Sequence, residues 1–318
     1  MNFESTVFLP SIHNIIKVKY KADSIMLRVK NLPPKLKLNL ISFGPRVDHL
    51  SYNCKDAKEF CDLYSNQSGP SFLFSSIVKK EITYNEGTRD NLLQEIKTLK
   101  NQNLDSSNLI MLFISSHGET LNDSFYILTH SEKNNDCSAK INLKTEILDI
   151  LNTIKCKKII FLDACFSALA IRNCNSMTSV SVATPKARPV SYAKSIPRPP
   201  LLELNRLIND AIRGKNDINI IASSNDDQQS YESPSLENGY FTSAVLEGLS
   251  KNYADQKNTN NSNAVGVTTL RELYDYLYTE VPLLIKRYPP DNNGGKFNQT
   301  PQKSNDNLFD MPIYINEN

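Results

Sequence analysis

Two short apolar runs, each ending at a residue with acid–base or nucleophilic chemistry, constrain this chain more than any other feature. Residues 108–118 read NLIMLFISSHG and bring His117 to the end of the first run. Residues 157–167 read KKIIFLDACFS and place Cys165 just beyond the second. Such runs are typical of strands buried on both faces of a sheet. If the two strands are parallel neighbours, both side chains reach the carboxyl edge of the sheet, where ligands bind in open α/β folds.

A thiol and an imidazole at one sheet edge are the minimum for a cysteine nucleophile with its base. We therefore predict that Cys165 is a nucleophile and that His117 is its acid–base partner. The competing interpretation is that Cys165 is a small buried apolar residue, which is the usual fate of a free cysteine. We apply that interpretation to the other five cysteines: Cys54, Cys61, Cys137, Cys156 and Cys174.

Around these runs, strand and helix patterns alternate along most of the chain. Strands are predicted at 36–43, within 72–82, at the two runs, at 217–222 and at 311–315, with a hairpin at 124–129. Helices are predicted at 55–64, 88–100 (capped by Thr88 or Asn85), 142–154, 201–213, 239–250 and 268–288. This order predicts an α/β fold with a mostly parallel sheet and helices on both faces.

Four segments are predicted. Residues 1–35 contain a β-hairpin extension, and residues 36–170 form the half that carries His117 and Cys165. Residues 171–200 hold many prolines and serines and only basic charges, so we interpret them as a flexible basic linker. Residues 201–318 form the second half.

Bulk composition excludes several function classes. The 318 residues carry a net charge of only +2, which argues against a nucleic-acid or membrane role based on charge. No apolar run approaches the roughly 20 residues of a membrane span, and the first residues do not resemble a signal peptide. Six irregularly spaced cysteines without a CxxC pair predict neither a disulfide framework nor a metal site. We expect a cytoplasmic protein.

Several separate motifs resemble the caspase-like cysteine peptidases, in particular metacaspases and bacterial caspase homologues. SSHG at 115–118 resembles the catalytic-histidine motif, and DACFS at 163–167 resembles the nucleophile motif. ASSNDDQQSYE, GYFTSAVLEGL, LRELYDYL and NQTPQ resemble the second half of the bacterial members. The spacing of His117 from Cys165 is close to the roughly 50 residues typical of caspases. Two departures, Phe166 for His and Ala168 for Gly, leave the nucleophile in place.

The resemblance implies a caspase-like α/β/α sandwich with a six-stranded sheet, whose halves correspond to a large and a small subunit. It assigns an oxyanion hole to the backbone N–H groups of Gly118 and Cys165. It also matches Asp163, Asp56 and Asp226 to the acidic substrate-binding positions of metacaspases, which accept arginine or lysine before the scissile bond. A carboxylate binds a guanidinium through charge-assisted hydrogen bonds. The expected partners are therefore protein or peptide substrates with a basic residue at that position.

Linker cleavage is the predicted regulation of such a zymogen, by the enzyme itself or by an upstream protease. Lys186 and Lys194 are the favoured processing sites, since prolines follow Arg188 and Arg198. No cofactor is required by the sequence, and calcium activation, found in some metacaspases, stays open. Two alternatives remain: an inactive caspase-fold interaction module and a nucleotide-binding domain. The intact Cys–His pair argues against the first, and the lack of a glycine-rich phosphate loop argues against the second.

Overall fold

The computed structural model describes residues 13–20, 23–30, 35–69, 72–121, 124–131, 139–165, 218–225, 228–255, 266–290, 297–304 and 311–316. For 13–20, 23–30, 120–121 and 165 only the backbone is described.

The described elements comprise fourteen strands, five helices and one wide π-type turn. The strands are β1 (His13–Tyr20), β2 (Asp23–Lys30), β3 (Leu36–Pro45), β4 (Phe74–Tyr84), β5 (Asn108–Leu121), β6 (Ser124–Leu128), β7 (Lys140–Asn142), β8 (Lys157–Cys165), β9 (Ile218–Ala222), β10 (Glu232–Ser233), β11 (Asn238–Gly239), β12 (Val267–Thr269), β13 (Gln302–Lys303) and β14 (Pro312–Ile315). The helices are α1 (Asn53–Leu63), α2 (Arg89–Asn101), α3 (Asp149–Asn152), α4 (Tyr240–Ser250) and α5 (Leu270–Arg287), and the turn at Leu143–Leu148 leads into α3.

Six strands of the central sheet lie in the order β13-β9-β8-β5-β3-β4, and among the described residues β6 and β7 extend the sheet to eight strands from the end of β5. The five strands from β9 to β4 are parallel, and β13 runs antiparallel at one edge. From β3 the chain first moves outward to β4 and then returns to β5 on the other side. The order therefore reverses between β3 and β5, which is where doubly wound sheets open a ligand crevice at the carboxyl ends of their strands.

Helices cover both faces of this sheet, so the fold class predicted from the sequence, an α/β/α sandwich, is confirmed. Residues of α1, α4 and α5 share one core with alternate residues of the strands, and residues of α2 and α3 share the other. On the first face Phe60 of α1 lies with its ring centroid 4.4 Å from Phe113 and 5.3 Å from Phe161. Full burial of each such ring stabilises the fold by about 1.5–3 kcal/mol.

The sixth strand of the sheet differs from the one predicted. The predicted strand at 311–315 forms, but as β14 it pairs with β12 in a separate two-stranded sheet. The edge position is taken by β13, inside a stretch predicted as loop, which pairs with β9 through only two residues. A strand this short carries no alternating pattern that a sequence reading could detect.

Most other predicted elements form within a few residues of their predicted bounds, with two changes. The predicted hairpin at 124–129 is instead the single strand β6, which pairs with the end of β5 and with β7. The other change is at 142–154. That stretch begins as the π-type turn and only its end is α-helical. Thr88 is the cap of α2, accepting a hydrogen bond from Asn91 N, and β1 and β2 form an antiparallel hairpin. The predicted helix at 201–213 and the linker at 171–200 lie outside the described residues, and the division into four segments stays a prediction.

Candidate active site

His117 and Cys165 are neighbours across the centre of the sheet. In the parallel pairing of β5 with β8, His117 lies directly opposite Cys165. Both stand where the parallel pairing of β5 with β8 ends, at the predicted carboxyl edge of the sheet. The reversal of strand order lies on the other side of β5. The side chain of Cys165 is outside the described part of the structure, so the geometry of the site is built from His117 and its surroundings.

The His117 ring is held in one orientation by a backbone carbonyl. Its Nε2 atom lies 2.9 Å from Asp48 O. Because a carbonyl oxygen only accepts, Nε2 carries the proton and Nδ1 is left with its lone pair. Nδ1 is buried and has no hydrogen-bond partner among the described residues. The neutral ring therefore presents a basic nitrogen that its own scaffold does not use.

Burial also keeps this ring neutral. The pKa of His117 is lowered, chiefly because burial disfavours the imidazolium, and the nearby His49 adds to the lowering. A histidine that is neutral near pH 7 can accept a proton, which is the first requirement of a general base. His117 was predicted from the sequence, whereas no role was predicted for His49, an exposed residue of the loop after β3.

The loop at 46–52 supplies the carbonyl that orients His117. Asn53, which follows the loop, donates from Nδ2 to Pro45 O at 2.6 Å and so ties the two ends of the loop together. The same Nδ2 lies 3.4 Å from Ser115 O of β5. His130 Nδ1 lies 3.0 Å from Arg46 O. None of these positions was predicted from the sequence, because backbone carbonyls leave no residue-type signal.

Gly118, the predicted oxyanion donor, follows His117 in β5. It is buried and lies opposite Ile127 in the antiparallel pairing with β6. Its position beside the histidine fits the assignment, which stays a prediction.

Two carboxylates predicted from the resemblance, Asp56 and Asp163, lie together next to this pair. Asp163 continues the face of Phe161 on β8, and Asp56 comes from the first turn of α1. Asp163 is 6% exposed and Asp56 1%. A Cβ atom added to Gly239 would stand 2.7 Å from Asp163 Oδ2 and 3.2 Å from Asp56 Oδ2. A side chain on residue 239 would therefore push between the two acids.

Both carboxylates are held by hydrogen-bond donors. Asp163 accepts from Ser230 Oγ and Thr242 Oγ1, each at 2.7 Å. Asp56 accepts from three residues: Ser115 Oγ at 3.1 Å, Asn238 Nδ2 at 2.9 Å, and Gly239 N at 3.1 and 3.3 Å to its two oxygens. Most of these donors come from the second half of the chain, so the two halves build this part of the site jointly.

Glu232, on β10, is a third carboxylate in this region, and we call Asp56, Asp163 and Glu232 the acidic cluster. Burial raises the pKa of all three carboxyls, that of Asp56 well above its ordinary value. The charge of Asp163 further raises the pKa values of Asp56 and Glu232. No cationic side chain in the described ranges forms an ion pair with any of the three. The cluster is therefore a group of three carboxyls whose burial opposes ionisation, without a counter-ion from those ranges.

Other predicted site residues cannot be placed. Asp226, Lys186 and Lys194 lie outside the described residues. Five further residues of the site were not predicted individually, although all of them fall in or near the ASSNDDQQSYE and GYFTSAVLEGL stretches that carry the resemblance. They are Ser230, Glu232, Asn238, Gly239 and Thr242.

Within the described ranges, no group of three or more His, Cys, Asp or Glu side chains is arranged to hold a metal ion. No helix in the same ranges combines the length and the apolar character that crossing a membrane requires.

Comparison with known proteins gives a family. The caspase domain model matches residues 42–310, most of the chain. No curated protein matches significantly. Among solved structures, protein GSU0716 from Geobacter sulfurreducens is similar with a TM-score of 0.49 and 16% identity, over 84% of this chain and 92% of that one. At that identity and score the likeness carries no information about function.

Proposed function

Because the chain belongs to the caspase domain family, whose members are cysteine peptidases, we propose that it is a cysteine endopeptidase that cleaves proteins after arginine or lysine. The observation that carries the specificity is the acidic cluster beside His117 and Cys165. Buried ionised carboxylates are costly unless a cation pairs with them. A guanidinium or ammonium group of a substrate is the partner this site lacks within the described ranges, and it would bind by charge-assisted hydrogen bonds.

In the proposed mechanism the Cys165 sulfur attacks the scissile carbonyl carbon while His117 holds the thiol proton. His117 then delivers this proton to the leaving amine, and a thioester to Cys165 remains. In the second half His117 takes a proton from water, which attacks the thioester and releases the acid and the thiol. The N–H groups of Gly118 and Cys165 are the proposed donors to the oxyanion of both tetrahedral intermediates.

The first competing proposal assigns a purely structural role to the acidic cluster. Asp56 and Asp163 accept several hydrogen bonds, as structural carboxylates do. However, hydrogen bonds from neutral groups do not cancel the repulsion between neighbouring buried charges. Residues placed only for stability are better as neutral amides or apolar side chains. The second competing proposal is an inactive interaction module, and the ready base nitrogen of His117 argues against it.

A panel of fluorogenic peptides that differ only in Arg, Lys or Asp before the scissile bond tests the proposal. We expect cleavage after Arg or Lys at least about tenfold faster than after Asp, as one charge-assisted pair would give. Cys165→Ala, tested on the same panel, controls for contaminating proteases. Preference for Asp would refute the basic specificity. Failure of the wild type to cleave any peptide would favour the inactive module.

We propose in addition that cleavage within 171–200 regulates the enzyme, as the composition of that segment suggests. An uncut basic segment tethered near an acidic site competes with substrate through its high effective concentration.

A further inference from the structure

Glu232 contacts the loop that orients His117, although it lies in the other half of the chain. Its Oε2 atom accepts a hydrogen bond from Ser51 N at 2.8 Å, and its Oε1 atom accepts one from Tyr52 N at 3.0 Å. These N–H groups stand immediately before α1. Tyr52, the residue at the N-cap position, makes no side-chain capping bond. The carboxylate of Glu232 thus supplies from a distance the anion that a helix N-terminus favours.

The loop needs an external partner of this kind. His49 has a φ of 68°, which is the left-handed region that a side chain with a Cβ seldom adopts without support. Asp48, the residue before it, carries the carbonyl that accepts a hydrogen bond from the His117 Nε2–H group. Asn53 and Glu232 fix the end of the loop next to α1. The position of the Asp48 carbonyl therefore depends on hydrogen bonds made by residues three to five positions further along the chain.

Glu232 sits on a hairpin that is itself docked onto α1. The hairpin pairs β10 with β11, and its Asn238 donates to Asp56 at 2.9 Å and to Glu59 at 2.8 Å. Lys55 donates from Nζ to Glu237 O at 3.1 Å and pairs with the Glu237 carboxylate at 3.2 Å. The hairpin is therefore bonded to α1 at several points, and Glu232 is the residue whose hydrogen bonds, among those described, reach the loop.

We propose that Glu232 is a positioning residue for catalysis, which fixes the 46–52 loop so that Asp48 O holds His117 in the tautomer with its proton on Nε2. This inference rests on the proposed peptidase function of the Cys165–His117 pair. It leaves contact with the basic side chain of the substrate to Asp56 and Asp163, the other two members of the acidic cluster, because both oxygens of Glu232 are bonded to the loop. The proposal explains why Glu232 is a carboxylate even though the nearby charge of Asp163 disfavours its ionisation. Two backbone N–H groups must be satisfied at that point, and a carboxylate can accept both.

The variants that test the proposal are Glu232→Ala, Glu232→Gln and, as a matched control, Glu237→Gln. Glu237 lies on the same hairpin as Glu232. Its carboxylate pairs with Lys55 of α1 and makes none of the described hydrogen bonds to the 46–52 loop. With a peptide cleaved by the wild type, we expect Glu232→Ala to lower kcat about ten- to a hundredfold, because small misplacements of a catalytic group have effects of this size. KM should change far less. Glu232→Gln, with one amide oxygen for two donors, should lie between, and Glu237→Gln should match the wild type.

The second measurement is the tautomer and pKa of the His117 imidazole by ¹⁵N NMR, which does not depend on activity. Loss of the Nε2-protonated tautomer in Glu232→Ala and its partial retention in Glu232→Gln would support the proposal, and a merely structural residue would not change it. Wild-type kcat together with an unchanged tautomer in both variants would overturn it. If Glu232→Ala does not fold, Glu232→Gln decides. If the wild type cleaves nothing, the proposed function fails while the NMR result still tests the role of Glu232.

Discussion

At the scale of single residues, the nucleophile assignment makes the most direct prediction. Cys165→Ala should abolish peptide cleavage while the protein stays folded, because the substitution removes the thiol that forms the proposed thioester. Cys156→Ala is the matched control. That cysteine is 2% exposed in the core, so its loss should lower the free energy of unfolding by about 1 kcal/mol and leave kcat nearly unchanged. Turnover assays and thermal unfolding check both, and cleavage by Cys165→Ala would remove Cys165 from the mechanism.

Asp163 links specificity to pH-dependent stability. Asp163→Asn should slow cleavage after Arg by about 1.5–3 kcal/mol in activation free energy, roughly ten- to a hundredfold. Burial raises the pKa of this carboxyl in the folded chain. The folded state therefore binds more protons than the unfolded state between the ordinary pKa of about 3.9 and the raised value, and the free energy of unfolding falls as pH rises through that window.

The Asn variant should show a smaller fall and should be more stable than the wild type at neutral pH. Thermal unfolding between pH 4 and pH 8, about the range in which a raised carboxyl pKa acts, measures this. Asp62→Asn, which changes an exposed carboxylate of α1 paired with Lys58, controls for surface charge. An Asp163→Asn variant that is less stable at every pH would mean that the carboxylate serves the fold instead of a ligand.

How far the sequence could predict this site is clearest at His117, Asp163 and Glu232. His117 was predicted because it lies at the end of an apolar run, where the strand pattern fixes its position. Asp163 was predicted from the resemblance, which matches it to an acidic position two residues before the nucleophile. Glu232 was missed because a strand of two residues has no periodicity and because its partners are backbone N–H groups. The sequence distinguishes side chains, whereas much of this site consists of backbone atoms brought together by folding.

At the scale of elements, the β10–β11 hairpin has no room for a side chain at Gly239. Gly239→Ala would place a methyl group 2.7 Å from Asp163 Oδ2, so the buried carboxylate must move. We expect at least a tenfold loss of kcat/KM for Arg peptides, in line with an overpacking cost of about 1–3 kcal/mol. Ser235→Ala, at an exposed position of the same hairpin, should cleave like the wild type. Unchanged kcat/KM in Gly239→Ala would separate the carboxylate pair from substrate binding.

Long elements with strong periodicity were predictable, and short or irregular ones were not. The helix at Leu270–Arg287 was predicted in spite of Pro282, because its apolar face repeats on both sides of the proline. The edge strand at Gln302–Lys303 and the turn at Leu143–Leu148 were not, since pairing partner and turn type depend on tertiary contacts.

At the scale of the whole molecule, one sheet joins the two halves. The strands β8 and β9 pair along Lys158–Leu162 and Ile218–Ala222. The side-chain amide of Gln67 makes a second link by donating to Ile315 O at 2.9 Å and accepting from Ile315 N at 3.0 Å. A break in the chain between β8 and β9 leaves both links intact.

Under the proposed self-processing, incubated wild type should be cut after Lys186 or Lys194. Because both links survive the cut, the two products should co-elute in size-exclusion chromatography. Cys165→Ala should stay full length, because it lacks the nucleophile that the proposed self-cleavage requires. Intact-mass analysis distinguishes the two chains. A wild type that remains uncut while it cleaves peptides would exclude obligatory self-processing and leave processing to another protease.

Under the proposed basic specificity, the acidic cluster couples binding of a cationic substrate side chain to proton exchange with the solvent. Because its carboxyls have raised pKa values, a cationic side chain that enters shifts them toward ionisation and releases protons to the buffer. The bound substrate becomes the counter-ion that the described part of the chain does not supply there. Affinity for basic ligands should then increase as pH rises. A lower pH should decrease that affinity even where His117 remains neutral.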